Sequence, residues 1–154
     1  RRTDCRAGRL TTDETTDLFA TLVNLCEQFR AAGDVECHCT IGEAHTRLDE
    51  DLADVVHRAV RELLINVRLH SRASRVRVTS TRARDGTVRL SVSDNGIGFS
   101  KPWPEPSPFS PEGGLGLWSI DRRLRPFDAY LDVESGRDGT RVSIVIPARH
   151  VRGA

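Results

Sequence analysis

A chain of 154 residues with a formal net charge of +1 can bury one substantial core, and it lacks the cationic surplus of a nucleic-acid-binding module. No apolar run approaches bilayer length and no signal-peptide pattern opens the chain, so neither membrane nor nucleic-acid contact is expected of it. Four cysteines (Cys5, Cys26, Cys37, Cys39) are too few and too irregularly spaced for a disulfide scaffold, which points to a reducing, cytoplasmic setting. Cys37-His38-Cys39, with His45 nearby, invites a metal reading, but the spacing matches no common zinc pattern. A strand would also turn His38 away from the two cysteines, so buried, reduced thiols fit better. A chain that opens on Arg1 and holds no methionine reads as a piece of a longer protein, with any sensor or membrane segment outside it.

Residues 1–10 are polar and arginine-rich and read as a linker stub, with 11–148 as the folded domain and 149–154 as a C-terminal tail. Thr11 and Glu14 have capping-box spacing, and Leu18, Leu22, Leu25, Cys26 and Phe29 then recur at helical period until Gly33. Val35, Cys37, Cys39 and Ile41 alternate as a strand does. A longer helix is predicted from about Leu48 to about His70, with Leu48, Leu52, Val55, Val56, Ala59, Val60, Leu63, Leu64 and Val67 as its apolar stripe. Two strands follow, around Val76–Val78 and over Val88–Val92, joined by a turn at Asp85-Gly86. The stretch from Ser100 to Glu112 carries five prolines and can be neither helix nor inner strand. A short helix from Leu117 to Arg125 is ended by Pro126, and a last hairpin pairs Ala129–Ser135 with Thr140–Pro147. These elements sum to an α+β fold: a two-layer α/β sandwich in which helices cover one face of a mixed, mostly antiparallel sheet.

Two glycine clusters carry the chemistry. Asp94-Asn95-Gly96-Ile97-Gly98-Phe99 follows a strand, and Gly113-Gly114-Leu115-Gly116-Leu117 closes the proline-rich loop. Gly96 and Gly98 can take positive φ and let backbone amides approach a ligand closely, and Asp94 can accept a hydrogen bond from an exocyclic amine such as adenine N6. Gly114 and Gly116 sit at the entry of the short helix, where free N–H groups favour phosphate, although a flexible turn uses glycine equally well. The proline-rich loop between them reads as a lid, and its Trp103 and Phe109 either close over the ligand or anchor the loop to the core.

On the long helix, Glu62, Asn66 and His70 stand four apart and share a face. Taken alone they would be solvated surface residues. Beside a nucleotide, the Asn66 amide oxygen suits a magnesium ion that takes its other oxygens from phosphates and water, and Glu62 can act as a base or orienting carboxylate. His70 can donate to a phosphate oxygen. Gly139-Thr140 either places a hydroxyl near the base or simply forms a hairpin turn.

These motifs resemble the ATP-binding catalytic domain of two-component sensor histidine kinases, of the nitrate-sensor type, in the ATPase superfamily shared with gyrase, the ninety-kilodalton heat-shock chaperones and mismatch-repair proteins. Arg61–Ser71 is similar to the N box, Asp94–Phe99 to the first glycine box and Gly114–Leu117 to the second; the resemblance covers about residues 15–148. It implies Glu62 as catalytic carboxylate, Asn66 as magnesium ligand and Asp94 as adenine reader. It makes His70, Gly96, Gly98, Gly114, Leu115, Gly116 and Leu117 pocket residues, with Thr140 supporting Asp94 through water. The implied partners are a dimerisation domain of the same protein, which carries the phosphoacceptor histidine and makes the full-length protein a homodimer, and a response regulator. Two departures stand out: Leu69 occupies a position that is usually basic, and Ile65 one that is often polar. An anti-sigma-type serine kinase and a decayed regulatory module remain the rival readings.

Overall fold

The computed structural model describes residues 15–41, 46–98 and 114–152. Strand β1 (Thr15–Asp17) leads directly into helix α1 (Leu18–Ala31). Asp17 caps that helix, accepting from the Ala20 amide at 3.4 Å. The predicted capping pair Thr11/Glu14 lies outside the described residues. The five apolar positions assigned to α1 are all buried.

Strand β2 (Glu36–Ile41) follows, then β3 (Arg47–Asp49) and helix α2 (Glu50–Asn66). The helix starts two residues later than its stripe suggested, because Leu48 pairs with Thr16 and Val151 in a small sheet of order β1-β3-β8. β8 (Val151–Arg152) lies in the segment expected to be a tail, but it pairs with β3 and buries Val151. Strands of two or three residues are too short to show an alternation, so this sheet left no mark in the sequence. After Asn66 the helix widens into a π-helical turn, Val67–Ser71, ending at Arg72 in the left-handed region.

The main sheet has the order β2-β4-β5-β7-β6, built by β4 (Arg75–Arg82), β5 (Val88–Asp94), β6 (Tyr130–Gly136) and β7 (Gly139–Ile146). β2 and β4 run parallel, a pairing that needs a long crossover, and α2 supplies it. The remaining pairs are antiparallel. One face of the sheet carries Val76, Val78, Leu90, Val92, Val142 and Ile144 into a single core with the apolar faces of the helices, including Leu22, Val56, Val60, Leu63 and Ile120. The other face carries Arg75, Arg77, Arg89 and Arg141 to solvent. The predicted two-layer α+β sandwich is therefore the observed architecture. Helix α3 (Gly114–Leu124) starts three residues earlier than expected, and Pro126 opens a 3-10 turn over Arg125–Phe127 instead of simply ending the helix.

Among the described residues, Cys26, Cys37 and Cys39 are free, and Cys26 and Cys37 are buried. Cys26 on α1 donates toward Cys37 and Cys39 of β2, and these contacts together with burial hold its thiol far above the usual range. Among the described residues no three His, Cys, Asp or Glu side chains are placed to hold a metal ion. His45 and Cys5 lie outside those residues, as do Phe99, Trp103, Phe109, Gly113 and the rest of the proposed lid.

Candidate functional site

Asp94 closes β5, with Thr140 of β7 and Val76 of β4 as its register partners. Its Oδ1 accepts the Gly96 amide at 2.8 Å. Burial pushes the carboxyl above its ordinary range, against the downward pull of amide hydrogen bonds from Gly96 and Thr140. The result is a half-buried acceptor at the end of a central strand, poised to be paired by a donor brought from outside. The Thr140 hydroxyl lies within 3.0 Å of Ser135 Oγ and is buried, so it braces the β6–β7 hairpin beside Asp94.

The loop after Asp94 is fastened by contacts that each need a particular residue. Asn95 Oδ1 accepts the amides of Ser74 and Arg75, both at 3.0 Å, which clamps the loop to the start of β4. Motif reading quoted Asn95 without a role; its value as a clamp depends on residues 20 positions away and leaves no local signal. The Ile97 amide donates to the Ser71 carbonyl at 2.8 Å. Gly96 was expected to exploit positive φ, but it is absent from the positive-φ residues; a Cβ there would stand 2.1 Å from Ser71 O, so close packing requires the glycine. Gly98 does take positive φ, at 77°. A Cβ on Gly139 would meet Asp94 O at 1.9 Å, so the hairpin glycine belongs to the packing of this site.

The long helix meets both glycine clusters. Ser71 at its π-helical end touches Gly96, and Asn66 one turn earlier faces the start of α3, its Nδ2 3.5 Å from where a Gly116 Cβ would lie. Asn66 has no hydrogen-bond partner for its side chain among the described residues and is half-buried. An amide oxygen of this kind, with no protein cage around it, suits a magnesium ion that keeps waters and shares phosphate oxygens. Glu62 Oε2 accepts from Arg123 of α3 at 3.0 Å. His70 is exposed on the π-helical turn, where the change of ladder rotates it from the position a continued α-helix would give. Gly114 provides the N-terminus of α3, and the buried Leu117 side chain anchors that terminus to the core. The Leu115 side chain lies outside the described part.

Leu69 is 66% exposed and offers no charge. Its neighbour Arg68 does not compensate. The Arg68 guanidinium stacks 4.0 Å from the Phe29 ring centroid and donates to Phe29 O at 2.6 Å, capping the end of α1.

Comparison with known proteins agrees with this geometry. Residues 51–150 match the family described as histidine kinase-, DNA gyrase B-, and HSP90-like ATPase. The chain is 28% identical over 130 residues to the sensor histidine kinase MctS of Rhizobium johnstonii, covering 84% of this chain and 27% of that protein. It is 29% identical over 103 residues to the oxygen sensor histidine kinase NreB of Staphylococcus carnosus, covering 66% of this chain and 28% of that one. The chain thus spans little more than a quarter of the length of these relatives. Among solved structures, the histidine kinase domain of the blue-light activated kinase EL346 of Erythrobacter litoralis superposes with a TM-score of 0.73 at 25% identity, covering 93% of this chain and 66% of that one. The mycobacterial sensor histidine kinase MprB superposes at 0.71 over 87% of this chain and 96% of that one; at 24% identity it bears on the fold. The chain belongs to the histidine kinase-, DNA gyrase B- and HSP90-like ATPase family.

Proposed function

We propose that this domain binds Mg-ATP and transfers its γ-phosphoryl group to a histidine on a separate dimerisation domain of the same protein, which passes it to an aspartate on a response regulator. The observation that carries the reading is the convergence of three separate parts of the sequence: the helix bearing Glu62 and Asn66 meets the Asp94–Gly98 loop through Ser71 and Gly96, and the start of α3 through Asn66 and Gly116. Asp94 accepts the adenine amine, which a purine lacking an exocyclic amine at that position cannot supply. Backbone N–H groups at the start of α3 face the phosphates. Magnesium, when bound, would neutralise charge on the phosphate oxygens, with Asn66 as its protein ligand. The acceptor imidazole nitrogen displaces ADP: the N–P bond forms as the bond from γ-phosphorus to the bridging oxygen breaks and ADP leaves with the electron pair. Glu62 orients the imidazole and receives the proton it gives up. A domain that draws on ATP and feeds a response regulator belongs on the cytoplasmic side of any membrane; no helix among the described residues is long and apolar enough to cross one.

The test is transfer from [γ-32P]ATP to the protein's own dimerisation domain, followed by acid treatment. Phosphohistidine is acid-labile, so label that disappears in acid supports the reading. Acid-stable label indicates a serine kinase, and Mg-ATP binding without transfer indicates a regulatory module.

A further inference from the structure

The contact between Glu62 and Arg123 joins two parts of the site that sequence reading treated separately. Arg123 lies on α3, seven residues after Gly116, and its side chain leans back toward the start of the helix, as helical side chains do. Its guanidinium has three acceptors: Nε reaches Ser119 O at 3.3 Å, and one terminal nitrogen reaches Ser119 Oγ at 3.1 Å and Glu62 Oε2 at 3.0 Å. A planar donor held from its own helix on two sides cannot swing freely, so it fixes the carboxylate that it grips. The neighbouring cations, Arg122 on α3 and Arg125 on the 3-10 turn after it, are engaged elsewhere: Arg122 lies over the Trp118 ring at 4.7 Å, and Arg125 pairs with Asp121 at 3.0 Å. Glu62 and Arg123 are each nearly two-fifths exposed, so the pair adds little to stability, and its value lies in orientation.

Both ends of this link touch the nucleotide site. Glu62 precedes Asn66 by one helical turn, and α3 begins at the glycines whose first turn packs beside Asn66. Moving the start of α3 therefore moves Arg123, and Arg123 moves the carboxylate.

Resting on the phosphoryl-transfer reading above, we infer that Arg123 is a positioning residue: it holds Glu62 Oε2, leaves Oε1 to face the acceptor, and ties that orientation to the seating of α3. It touches neither nucleotide nor acceptor.

The experiment compares parent, Arg123→Ala, Arg123→Lys, Glu62→Gln and the Glu62→Gln/Arg123→Ala double variant in the full-length protein that carries this domain. The readouts are autophosphorylation rate with Mg-[γ-32P]ATP and ATP affinity by calorimetry. Arg123→Ala should slow transfer about ten- to hundredfold while leaving the Kd for ATP within about twofold, since misplacement of a catalytic group costs rate and not binding. Lysine should restore part of the rate, because it keeps the charge but not the fork. In the Glu62→Gln background, Arg123→Ala should cost almost nothing more. The inference is overturned if Arg123→Ala leaves the rate unchanged, if it weakens ATP binding as much as it slows transfer, or if it costs as much without Glu62 as with it. A parent protein that binds no Mg-ATP, or binds it and transfers nothing, instead overturns the underlying reading and the inference with it.

Discussion

The Ile97 amide donates to the Ser71 carbonyl at 2.8 Å, so the first glycine cluster is fastened to the end of the helix that carries Glu62 and Asn66. Gly96, between Asp94 and Ile97, is pressed against the same carbonyl, and a Cβ would meet it at 2.1 Å. Gly96→Ala should therefore lower unfolding stability by about 1–3 kcal/mol, the usual cost of overpacking. It should also weaken ATP binding more than it lowers the melting point would suggest, because the loop bearing Asp94 must move. Denaturant melts beside nucleotide titrations check this; an unchanged affinity would separate the loop from the site.

Arg68 and Leu69 are neighbours with different surroundings: Arg68 is engaged at the end of α1, and Leu69 is exposed. Arg68→Ala removes a ring stack and a hydrogen bond at the end of α1, and should cost about 1–3 kcal/mol of stability while leaving ATP affinity unchanged. The pair of measurements is again a melt and a titration. A loss of affinity in the folded variant would put Arg68 at the nucleotide site.

Leu69 is the complementary case. It is exposed and contributes no donor, so Leu69→Lys should tighten Mg-ATP binding by about five- to tenfold, roughly 1–1.4 kcal/mol, by adding one phosphate contact. Leu69→Gln should give little of this gain, and added salt should erode the lysine effect. Equal affinities for the lysine and glutamine variants would show that position 69 does not face phosphate.

The Asp94 carboxyl is raised above its unfolded range by burial, so ionising it costs the folded state more than the unfolded one. Its contribution to stability is fully present below the unfolded carboxylate range and is lost as pH rises through the folded value. Relative to Asp94→Asn, which cannot titrate, the parent should gain stability as pH falls through this window. Urea melts of both proteins from neutral to acid pH test the sign; a parent that loses ground to the variant on acidification contradicts it.

How far the sequence could be read follows from the range of each interaction. The α2 stripe, the alternation of β2 and β5, and the Asp94–Gly98 cluster are local patterns, and the structure repeats them closely. The three-stranded sheet, the Asn95 clamp and the Arg123–Glu62 link bring together residues 20 to 105 positions apart, and no local pattern announces them. The π-helical turn was hidden for another reason: Val67–Ser71 continues an ordinary helical composition, and the widening comes with the Ser71 hydroxyl bonding back to Val67 O at 2.7 Å.

The central claim, that Asp94 reads the purine of a magnesium-bound ATP, is tested most directly by calorimetric titration of the chain and of Asp94→Asn with ATP, with and without magnesium. The account predicts magnesium-dependent binding by the parent and at least about tenfold weaker binding by the variant, the scale of a lost charge-assisted hydrogen bond. Absence of binding by the parent, or equal affinity in the variant, would contradict it.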